Sequence, residues 1–326
     1  MPPKPPVLDQ AVPWLVVANT KSGHNDPAQT RATVEAALSA DGRGCEYLAA
    51  EPQQLARVAV EAAGRARAQN AALIGVGGDG TINTVAQAAH QAGCAMGFVP
   101  QGTFNYFGRM HRIPLDAQEA MALLLQSVPQ PVQVGYANDQ LFLVNASVGL
   151  YPEMFEDREA WKRRFGRHRL VAILSSIGTI LSKHRRLKLR IELDDRMRDV
   201  STPTLFIGNN RLQLERVGLP QPAEAVEHHR LAAVMARETS TRSLLWLLLR
   251  GAMGTLGDME TVESFSFQRM RVEQRRRLRQ KGQKRQIKLA YDGEVRLVDQ
   301  PIEFRVAEHP LYLIKPTDDM AAPPVA

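Results

Sequence analysis

The stretch NAALIGVGGDGTINTVAQAA, residues 70–89, joins an apolar run to a helix-like pattern. The junction consists of Gly77, Gly78, Asp79, Gly80 and Thr81. Glycines at such a junction let the backbone approach a phosphate closely, and the free N–H groups of a helix N-terminus can bind it. A carboxylate repels phosphate, so we expect Asp79 to reach Mg²⁺ or to accept a proton from an attacking hydroxyl. The alternative is a tight turn in which Asp79 caps the helix.

Two further loops carry glycines and polar side chains directly after apolar runs. NTKSGHND (19–26) follows the first run, and PQGTFNYFGR (100–109) follows the fourth. Ligands of open α/β sheets bind at the carboxyl ends of the strands, so we expect these loops and the glycine-rich junction to converge. Three such loops predict a nucleotide site, to which the two added loops contribute Asn19, Ser22, Gly23, Gly102, Thr103, Asn105 and Arg109.

The elements that must position these loops alternate between strand and helix over the first 130 residues. Such alternation predicts a parallel sheet covered on both faces. The predicted strands are 14–19, 45–50, 71–77 and 95–100. The predicted helices are 26–40, 52–69, 82–93 and 116–127.

From about residue 131 the pattern changes to short, partly alternating strands, which are typical of an antiparallel sandwich. A hairpin over 131–150 should turn at Asn138-Asp139. Further strands are predicted at 186–195, 202–210, 231–236, 268–274, 286–298 and 302–307, interrupted by helical inserts at 153–184 and 241–253.

The predicted fold class is therefore α/β plus β. A Rossmann-like nucleotide-binding domain with a parallel sheet should span 1–130, and an antiparallel β-sandwich domain with helical inserts should span 131–308. The boundary is set near 128–132, where Pro129 and Pro131 stand. A C-terminal tail, 309–326, could return to the first domain.

Composition narrows the class of protein. The net charge of +7 and pI of about 9.6 favour an anionic partner. Two cysteines, Cys45 and Cys94, are too few for a secreted disulfide scaffold. The N-terminus has no signal-peptide pattern, and the apolar runs 170–182 and 244–249 are too short to span a bilayer. These features predict a cytoplasmic protein.

Five motifs follow one another along the chain: NTKSG, GGDGTIN, GTFNYFGR, NASVGLYPEM (145–154) and YDGEV (291–295). Together they resemble the diacylglycerol kinase catalytic-domain family. The resemblance is to its bacterial lipid kinases, which are related to diacylglycerol and sphingosine kinases. It extends over roughly 14–315, and GGDGT alone is less specific because NAD kinases and phosphofructokinases carry similar loops.

The resemblance implies an ATP-binding α/β domain, a mostly β second domain and a cleft between them. It also implies transfer of the γ-phosphoryl group, assisted by Mg²⁺, to a hydroxyl of a diacylglycerol-like or sphingoid-like membrane lipid. By motif position, nucleotide would be contacted by Asn19, Ser22 and Gly23. Its phosphates and metal would be surrounded by Gly77, Gly78, Asp79, Gly80 and Thr81. The pocket would be completed by Gly102, Thr103 and Asn105.

The resemblance also implies that the DGE sequence, Asp292, Gly293 and Glu294, supplies the second catalytic carboxylate. We expect Glu294 to act as general base toward the lipid hydroxyl and Asp79 to be the metal-linked carboxylate, although these roles could be exchanged. Without the resemblance, DGE between two strand-like runs indicates a hairpin turn.

Two positions depart from the family pattern. Tyr106 stands where many relatives have an acidic residue, although a subgroup has an aromatic residue or His there. An acidic DDG that holds a structural Mg²⁺ in relatives is replaced by Glu227, His228 and His229. We expect that metal site to be altered or missing, and the two histidines to be solvated.

Basic segments suggest where the protein acts. Residues 158–190 combine Lys and Arg with an apolar run, and residues 242–254 combine Arg with one. Each segment fits an interfacial helix on anionic lipid or a core helix with solvated ends. Residues 269–288 resemble an exposed basic hairpin turning near Gly282, without aromatic residues that could stack on nucleic-acid bases.

The expected partners are a lipid substrate and anionic phospholipid at the inner face of the membrane, not nucleic acid, and the sequence leaves room for a homodimer. Two alternatives remain. One is a soluble-substrate kinase of the NAD kinase type. The other is a nucleotide- or lipid-binding regulator with impaired catalysis, which the altered segment around His228 would suit.

Overall fold

The computed structural model of the chain describes residues 4–21, 26–102, 105–149, 187–194, 196–216, 218–236, 250, 262–275 and 286–317. The chain divides into two units, which we name by their architecture. The α/β unit comprises Met1–Val134 and Ala307–Ala326, and the β unit comprises Gly135–Val306. The predicted helical insert 153–184 lies outside the described residues, as does 241–253 apart from Arg250.

The α/β unit has a six-stranded sheet in the order β2-β1-β3-β4-β18-β5. All its pairings are parallel except that of β18 with β5. Its strands are β1 (Trp14–Asn19), β2 (Cys45–Ala50), β3 (Leu73–Gly77), β4 (Ala95–Pro100), β5 (Val128–Val132) and β18 (Leu311–Lys315). Its helices are α1 (Pro27–Ala40), α2 (Leu55–Gln69), α3 (Asp79–Ala92), α4 (Tyr106–Met110) and α5 (Ala117–Leu125). The predicted parallel α/β architecture is confirmed.

The sequence explains why these elements form. Every residue of β3 and β4 is buried, as expected for central parallel strands covered on both faces. The helices pack as two pairs, α1 with α5 and α2 with α3. Asp26 caps α1 by accepting a hydrogen bond from the N–H of Ala28 at 3.0 Å, and Gly93 ends α3 in the left-handed conformation at φ 69°.

Strands β5 and β18 show how the α/β sheet is completed. β18 pairs with β4 on one side and with β5 on the other, and β5 is an edge strand. Pro129 and Pro131 lie two residues apart in β5, so the N–H groups that they lack would all point to one side of the strand. An edge strand tolerates this loss because only one side must pair.

The β unit contains two six-stranded antiparallel sheets. The first has the order β10-β9-β14-β17-β6-β7, with β6 (Gly135–Ala137), β7 (Gln140–Phe142), β9 (Leu187–Leu193), β10 (Arg196–Thr202), β14 (Arg269–Gln274) and β17 (Ile302–Val306). The second has the order β13-β12-β11-β8-β15-β16, with β8 (Asn145–Gly149), β11 (Thr204–Gly208), β12 (Leu231–Ala236), β13 (Val262–Phe267), β15 (Gln286–Tyr291) and β16 (Glu294–Asp299).

One apolar core joins these two sheets. Phe142 and Phe304 come from the first sheet, and Leu205 and Phe267 come from the second. Two short helices, α6 (Arg211–Arg216) and α7 (Pro220–Glu227), pack through Leu214, Leu219, Ala223 and Val226 against residues of the second sheet.

The predicted turn at Asn138-Asp139 is confirmed, because Ala137 of β6 pairs with Gln140 of β7. The hairpin is shorter than the predicted 131–150, since β5 pairs with β18 and β8 pairs with β11. β14 and β15, the described ends of the predicted hairpin over 269–288, do not pair with each other, and its predicted turn near Gly282 lies outside the described residues. β14 pairs with β9 and β17, whereas β15 pairs with β8 and β16. Both segments alternate apolar and charged residues, but β14 and β15 send their apolar side chains into the shared core from different sheets.

Candidate active site

The candidate site lies at the carboxyl edge of the α/β sheet, where the loops after β1, β3 and β4 begin. In the order β2-β1-β3-β4, β1 and β3 are neighbours whose connections run in opposite directions. This position is the topological switch point, at which sheets of this order bind their ligands. The amide of Asn19 donates a hydrogen bond to Oγ1 of Thr81 at 3.2 Å, which links the end of β1 to the first turn of α3.

Asp79 is the first residue of α3, so the helix begins three residues before the predicted start at Ile82. Its carboxyl group accepts a hydrogen bond from the backbone N–H of Asn105. Burial raises the pKa of Asp79, while the N–H groups of Asn105 and of Asp79 itself and the charge of Arg109 oppose that rise. The hydrogen bonds and Arg109 thus offset only part of the effect of burial on the pKa of Asp79. A bound cation would stabilise the charged carboxylate further.

Asn105 and Gly102 complete this part of the site. Asn105 is 2% exposed and left-handed at φ 45°, and its amide donates to the carbonyl of Gly102. Its Oδ1 is buried and has no hydrogen-bond partner. A Cβ on Gly102 would lie 2.9 Å from that Oδ1 and 3.1 Å from Oδ2 of Asp79. Glycine therefore keeps open a space bordered by two oxygen acceptors.

Those two oxygens fit the ligand preference of Mg²⁺, which takes carboxylate and amide oxygens. An unsatisfied buried acceptor such as Oδ1 of Asn105 is costly, so a bound cation or its water would relieve that cost. Among the described residues, this site included, no group of three or more His, Cys, Asp and Glu is arranged to hold a metal. His228 and His229 are exposed and lie between α7 and β12.

Two residues that the sequence did not single out tie the loops together. Gln101, directly after β4, donates a hydrogen bond to Oγ1 of Thr30 in α1 at 2.8 Å, and this contact is buried. The contact fixes the start of the 101–105 loop to the first turn of α1. The only feature of the sequence that could have pointed to Gln101 is its position next to Gly102, and only the structure shows that Thr30 is its partner.

The glycines of the junction shape the first turn of α3. The carbonyl of Gly77 accepts the N–H of Gln101 at 2.7 Å, and the carbonyl of Gly78 accepts the N–H of Ile82 at 3.0 Å. The carbonyl of Gly80 accepts the hydroxyl of Thr84 at 2.9 Å. Three other predicted site residues, Ser22, Gly23 and Thr103, lie outside the described residues.

The second predicted acidic group lies in the β unit. Asp292 and Gly293 form the two-residue turn between β15 and β16, with φ values of 43° and 89°, and Tyr291 pairs with Glu294. Two successive positive φ values are the mark of a type I′ hairpin. The turn presents Glu294 as an exposed residue at the start of β16.

Asp292, in contrast, is 9% exposed and its carboxylate is occupied. It accepts the backbone N–H groups of Leu143 at 2.5 Å, Val144 at 2.8 Å and Asn145 at 3.0 Å. Its own backbone N–H donates to the carbonyl of Asn145 at 3.1 Å. These contacts suit a residue that positions the hairpin more than one that accepts a proton from substrate.

Asn209, which the sequence analysis did not single out, donates hydrogen bonds to the carbonyl groups of the segment whose N–H groups Asp292 accepts. Its amide donates to the carbonyl of Leu143 at 2.9 Å, and its backbone N–H donates to the carbonyl of Val144 at 2.8 Å. Asn145 in turn donates to Oε1 of Gln213 at 3.0 Å. The only sequence signal was the pair Asn209-Asn210 directly after an apolar strand.

The fold and these residues agree with the family comparison. The family model for the diacylglycerol kinase catalytic domain matches residues 13–137, and the predicted resemblance is confirmed over that part of the chain. The match includes Asp79 and Asn105 of the α/β unit and ends before the DGE hairpin.

Curated relatives match part of the chain. A Pseudomonas putida protein named "Probable lipid kinase YegS-like" is 44% identical over 81 residues, which are 24% of this chain and 26% of that protein. A Pseudomonas aeruginosa protein of the same name is 35% identical over 137 residues, 41% of this chain and 43% of its own length. The "Diacylglycerol kinase" of Staphylococcus carnosus is 34% identical over 84 residues, 25% of this chain and 28% of that protein. Each match thus spans less than half of the relative.

Solved structures extend the likeness of fold to nearly the whole chain. The crystal structure of a diacylglycerol kinase from Bacillus anthracis has a TM-score of 0.66 at 15% identity and covers 95% of this chain and 98% of its own. Another structure from that organism has a TM-score of 0.71 at 18% identity with the same coverage. Among the described residues, we find no helix with the length and apolar character needed to cross a membrane.

Proposed function

We propose that the protein is an ATP-dependent lipid kinase, which transfers the γ-phosphoryl group to a hydroxyl of a diacylglycerol-like or sphingoid-like membrane lipid. The observation that carries this proposal is the linked arrangement of Asn19, Thr81, Asp79 and Asn105 at the switch point of a diacylglycerol kinase catalytic domain. The names of the curated relatives support a lipid as the acceptor.

The residues of the α/β unit would bind and orient ATP. The N–H groups in the first turn of α3 would bind phosphate oxygens, which Gly78 and Gly80 leave accessible. Asp79 and the buried Oδ1 of Asn105 would hold Mg²⁺, which supplies charge neutralisation on the phosphates. Arg109 would reduce the repulsion between Asp79 and the nucleotide.

Residues of the β unit would serve the acceptor. Glu294 would accept the proton of the lipid hydroxyl while the hydroxyl oxygen forms its bond to the γ-phosphorus. The bond from the γ-phosphorus to the oxygen that bridges it to the β-phosphate breaks, and ADP leaves with that oxygen. Asp292 would position Glu294 through the segment Leu143–Asn145, since its own carboxylate is already hydrogen bonded three times.

A lipid acceptor places the reaction at a membrane surface, and we propose a cytoplasmic protein bound peripherally to the inner face. The net charge of +7 favours anionic phospholipid as a partner. The basic apolar segments 158–190 and 242–254, on which that partner depends most, lie outside the described residues except at a few positions.

The test is phosphoryl transfer from labelled ATP to a panel of lipids, with wild type and Asp79→Asn compared. We expect transfer to at least one lipid by the wild type, loss of transfer in Asp79→Asn, and unchanged circular dichroism. Full activity in Asp79→Asn would reject the mechanism. Glu61→Gln, an exposed change on α2 that removes the same charge, is the matched control.

The same assay separates the alternatives. Transfer to NAD or sugar phosphates instead of lipid would identify a soluble-substrate kinase. ATP binding without transfer to any acceptor, across a series of divalent metals, would identify a regulator with impaired catalysis.

A further inference from the structure

Lys21 and Glu51 form an ion pair at the carboxyl edge of the α/β sheet. Nζ of Lys21 lies 2.7 Å from Oε2 of Glu51. Lys21 follows β1 in the loop that contains Asn19, and Glu51 directly follows β2. The ion pair therefore lies at the same edge as Thr81 and the first turn of α3, to which Asn19 is hydrogen bonded.

The backbone around this ion pair is anchored on both sides. Oδ1 of Asn19 accepts the N–H of Lys21 at 3.0 Å, and the N–H of Thr20 donates to the carbonyl of Ala50 at 3.1 Å. The hydroxyl of Thr20 also donates to Oε1 of Glu51 at 3.2 Å. Both charged side chains thus extend from fixed positions next to the candidate phosphate-binding turn.

The charges at this edge are nearly balanced before any ligand binds. Lys21 is paired with Glu51, and Arg109 interacts with Asp79. A polyphosphate brings several negative charges and needs cations at its binding site. The ammonium group of Lys21 can supply one of them, and the carboxylate of Glu51 competes for it.

The ion pair is weak enough to be exchanged. The side chains of Lys21 and Glu51 are 65% and 47% exposed, and exposed pairs of this kind contribute little to stability. A terminal phosphate group carries more negative charge than a carboxylate, so it attracts an ammonium group more strongly. Lysine's flexible side chain can move between the two anions without a change in the backbone.

We propose that Lys21 binds a phosphate of the nucleotide and that Glu51 is a built-in competitor, whose carboxylate occupies Lys21 until the phosphate displaces it. This inference rests on the proposed function only in requiring that the edge binds ATP. It assigns a ligand to Lys21 and makes Glu51 a residue that weakens nucleotide binding.

The test is a double-mutant cycle in which the Kd for ATP is measured by calorimetry at low ionic strength. We expect Lys21→Met to raise the Kd about tenfold, as for loss of one charge-assisted hydrogen bond. We expect Glu51→Gln to lower the Kd about threefold, because an exposed ion pair no longer competes. In the Lys21→Met background, Glu51→Gln should change nothing, since the competitor then has no ammonium to occupy.

The control is Glu61→Gln, whose partner Arg57 lies one turn away on α2 at 2.8 Å. Its side chain is 59% exposed, and it removes the same charge from the same unit. The control should leave the Kd for ATP at the wild-type value.

Three outcomes would overturn the inference. An equal effect of Glu51→Gln with and without Lys21 would show general charge repulsion instead of competition for Lys21. A wild-type Kd in Lys21→Met would remove the phosphate contact. In both of these cases ATP still binds and the proposed function stands, whereas absence of ATP binding by the wild type would reject the proposed function together with the inference.

Discussion

Asp292 and Asn145 hold each other through two hydrogen bonds. The N–H of Asn145 donates to the Asp292 carboxylate at 3.0 Å, and the N–H of Asp292 donates to the Asn145 carbonyl at 3.1 Å. The turn that carries Glu294 is thereby fixed to the start of β8, the NASVG strand of the second sheet. Two of the five sequence motifs meet at this contact.

Asp292→Asn should lower the free energy of unfolding by roughly 2 kcal/mol, since hydrogen bonds to a buried charged group are lost and the new NH₂ faces N–H donors. Urea unfolding followed by circular dichroism measures this change. Glu294→Gln, two residues away but exposed, should change the stability by less than about 0.5 kcal/mol and should abolish phosphoryl transfer. Equal stability losses in the two variants would contradict the separation of roles.

Asn209→Ala should cost about 1–3 kcal/mol of stability, because the buried carbonyl of Leu143 loses its side-chain donor. The backbone N–H of Asn209 would still reach Val144, so unfolding should remain cooperative. An unchanged urea midpoint would show that water replaces the lost amide.

Gly102→Ala should weaken ATP binding about tenfold or more, since the added methyl would displace the oxygens of Asn105 and Asp79 from their present positions. Calorimetry with ATP gives the affinity. The control is Gly64→Ala within α2, where an added Cβ meets nothing within 4 Å. That change should raise the stability by about 0.5–1 kcal/mol and leave ATP binding unaltered.

His111 should make the protein less stable in acid. Burial, and then the charge of Lys315, lower its pKa to about 3, and its Nε2 is buried without a hydrogen-bond partner. The unfolded chain therefore binds a proton below about pH 6.5 that the folded chain does not bind. Stability from this group is complete above pH 6.5 and falls by up to about 1.4 kcal/mol per pH unit below it.

His111→Phe should flatten that dependence, since Phe cannot bind a proton and can keep the edge contact with Phe107. Urea unfolding of both proteins between pH 4 and 8 gives the slopes. Above about pH 7.5 the two should respond to pH alike, and a parallel decline in acid would exclude His111 as the cause.

The strands that form the carboxyl edge of the α/β sheet could be predicted closely from the sequence. The runs at β1, β2 and β4 are apolar, short and followed by glycine or polar residues, so their bounds are recovered as predicted. The predicted start of α3 is three residues too late, because Asp79, Gly80 and Thr81 show no apolar periodicity. These residues belong to the helix by their backbone hydrogen bonds, which the sequence pattern does not reveal.

Contacts between residues far apart in sequence could not be predicted. Asn209 lies 66 residues from Leu143, and Asp292 lies 147 residues from Asn145. Composition near each residue gives no sign of its partner. β5 was hidden for a related reason, since Pro129 and Pro131 mark a boundary by propensity and are tolerated only because β18 pairs with one side of the strand.

The position of β18 has a consequence for biosynthesis. Leu311–Lys315 lies between β4 and β5, so the α/β sheet cannot be completed until residues 311–315 have been synthesised. Until then β4 exposes a fully apolar edge, to which strands of other chains could add. The half that is translated first is thus among the last to mature, and nascent chains should depend on chaperones during that interval.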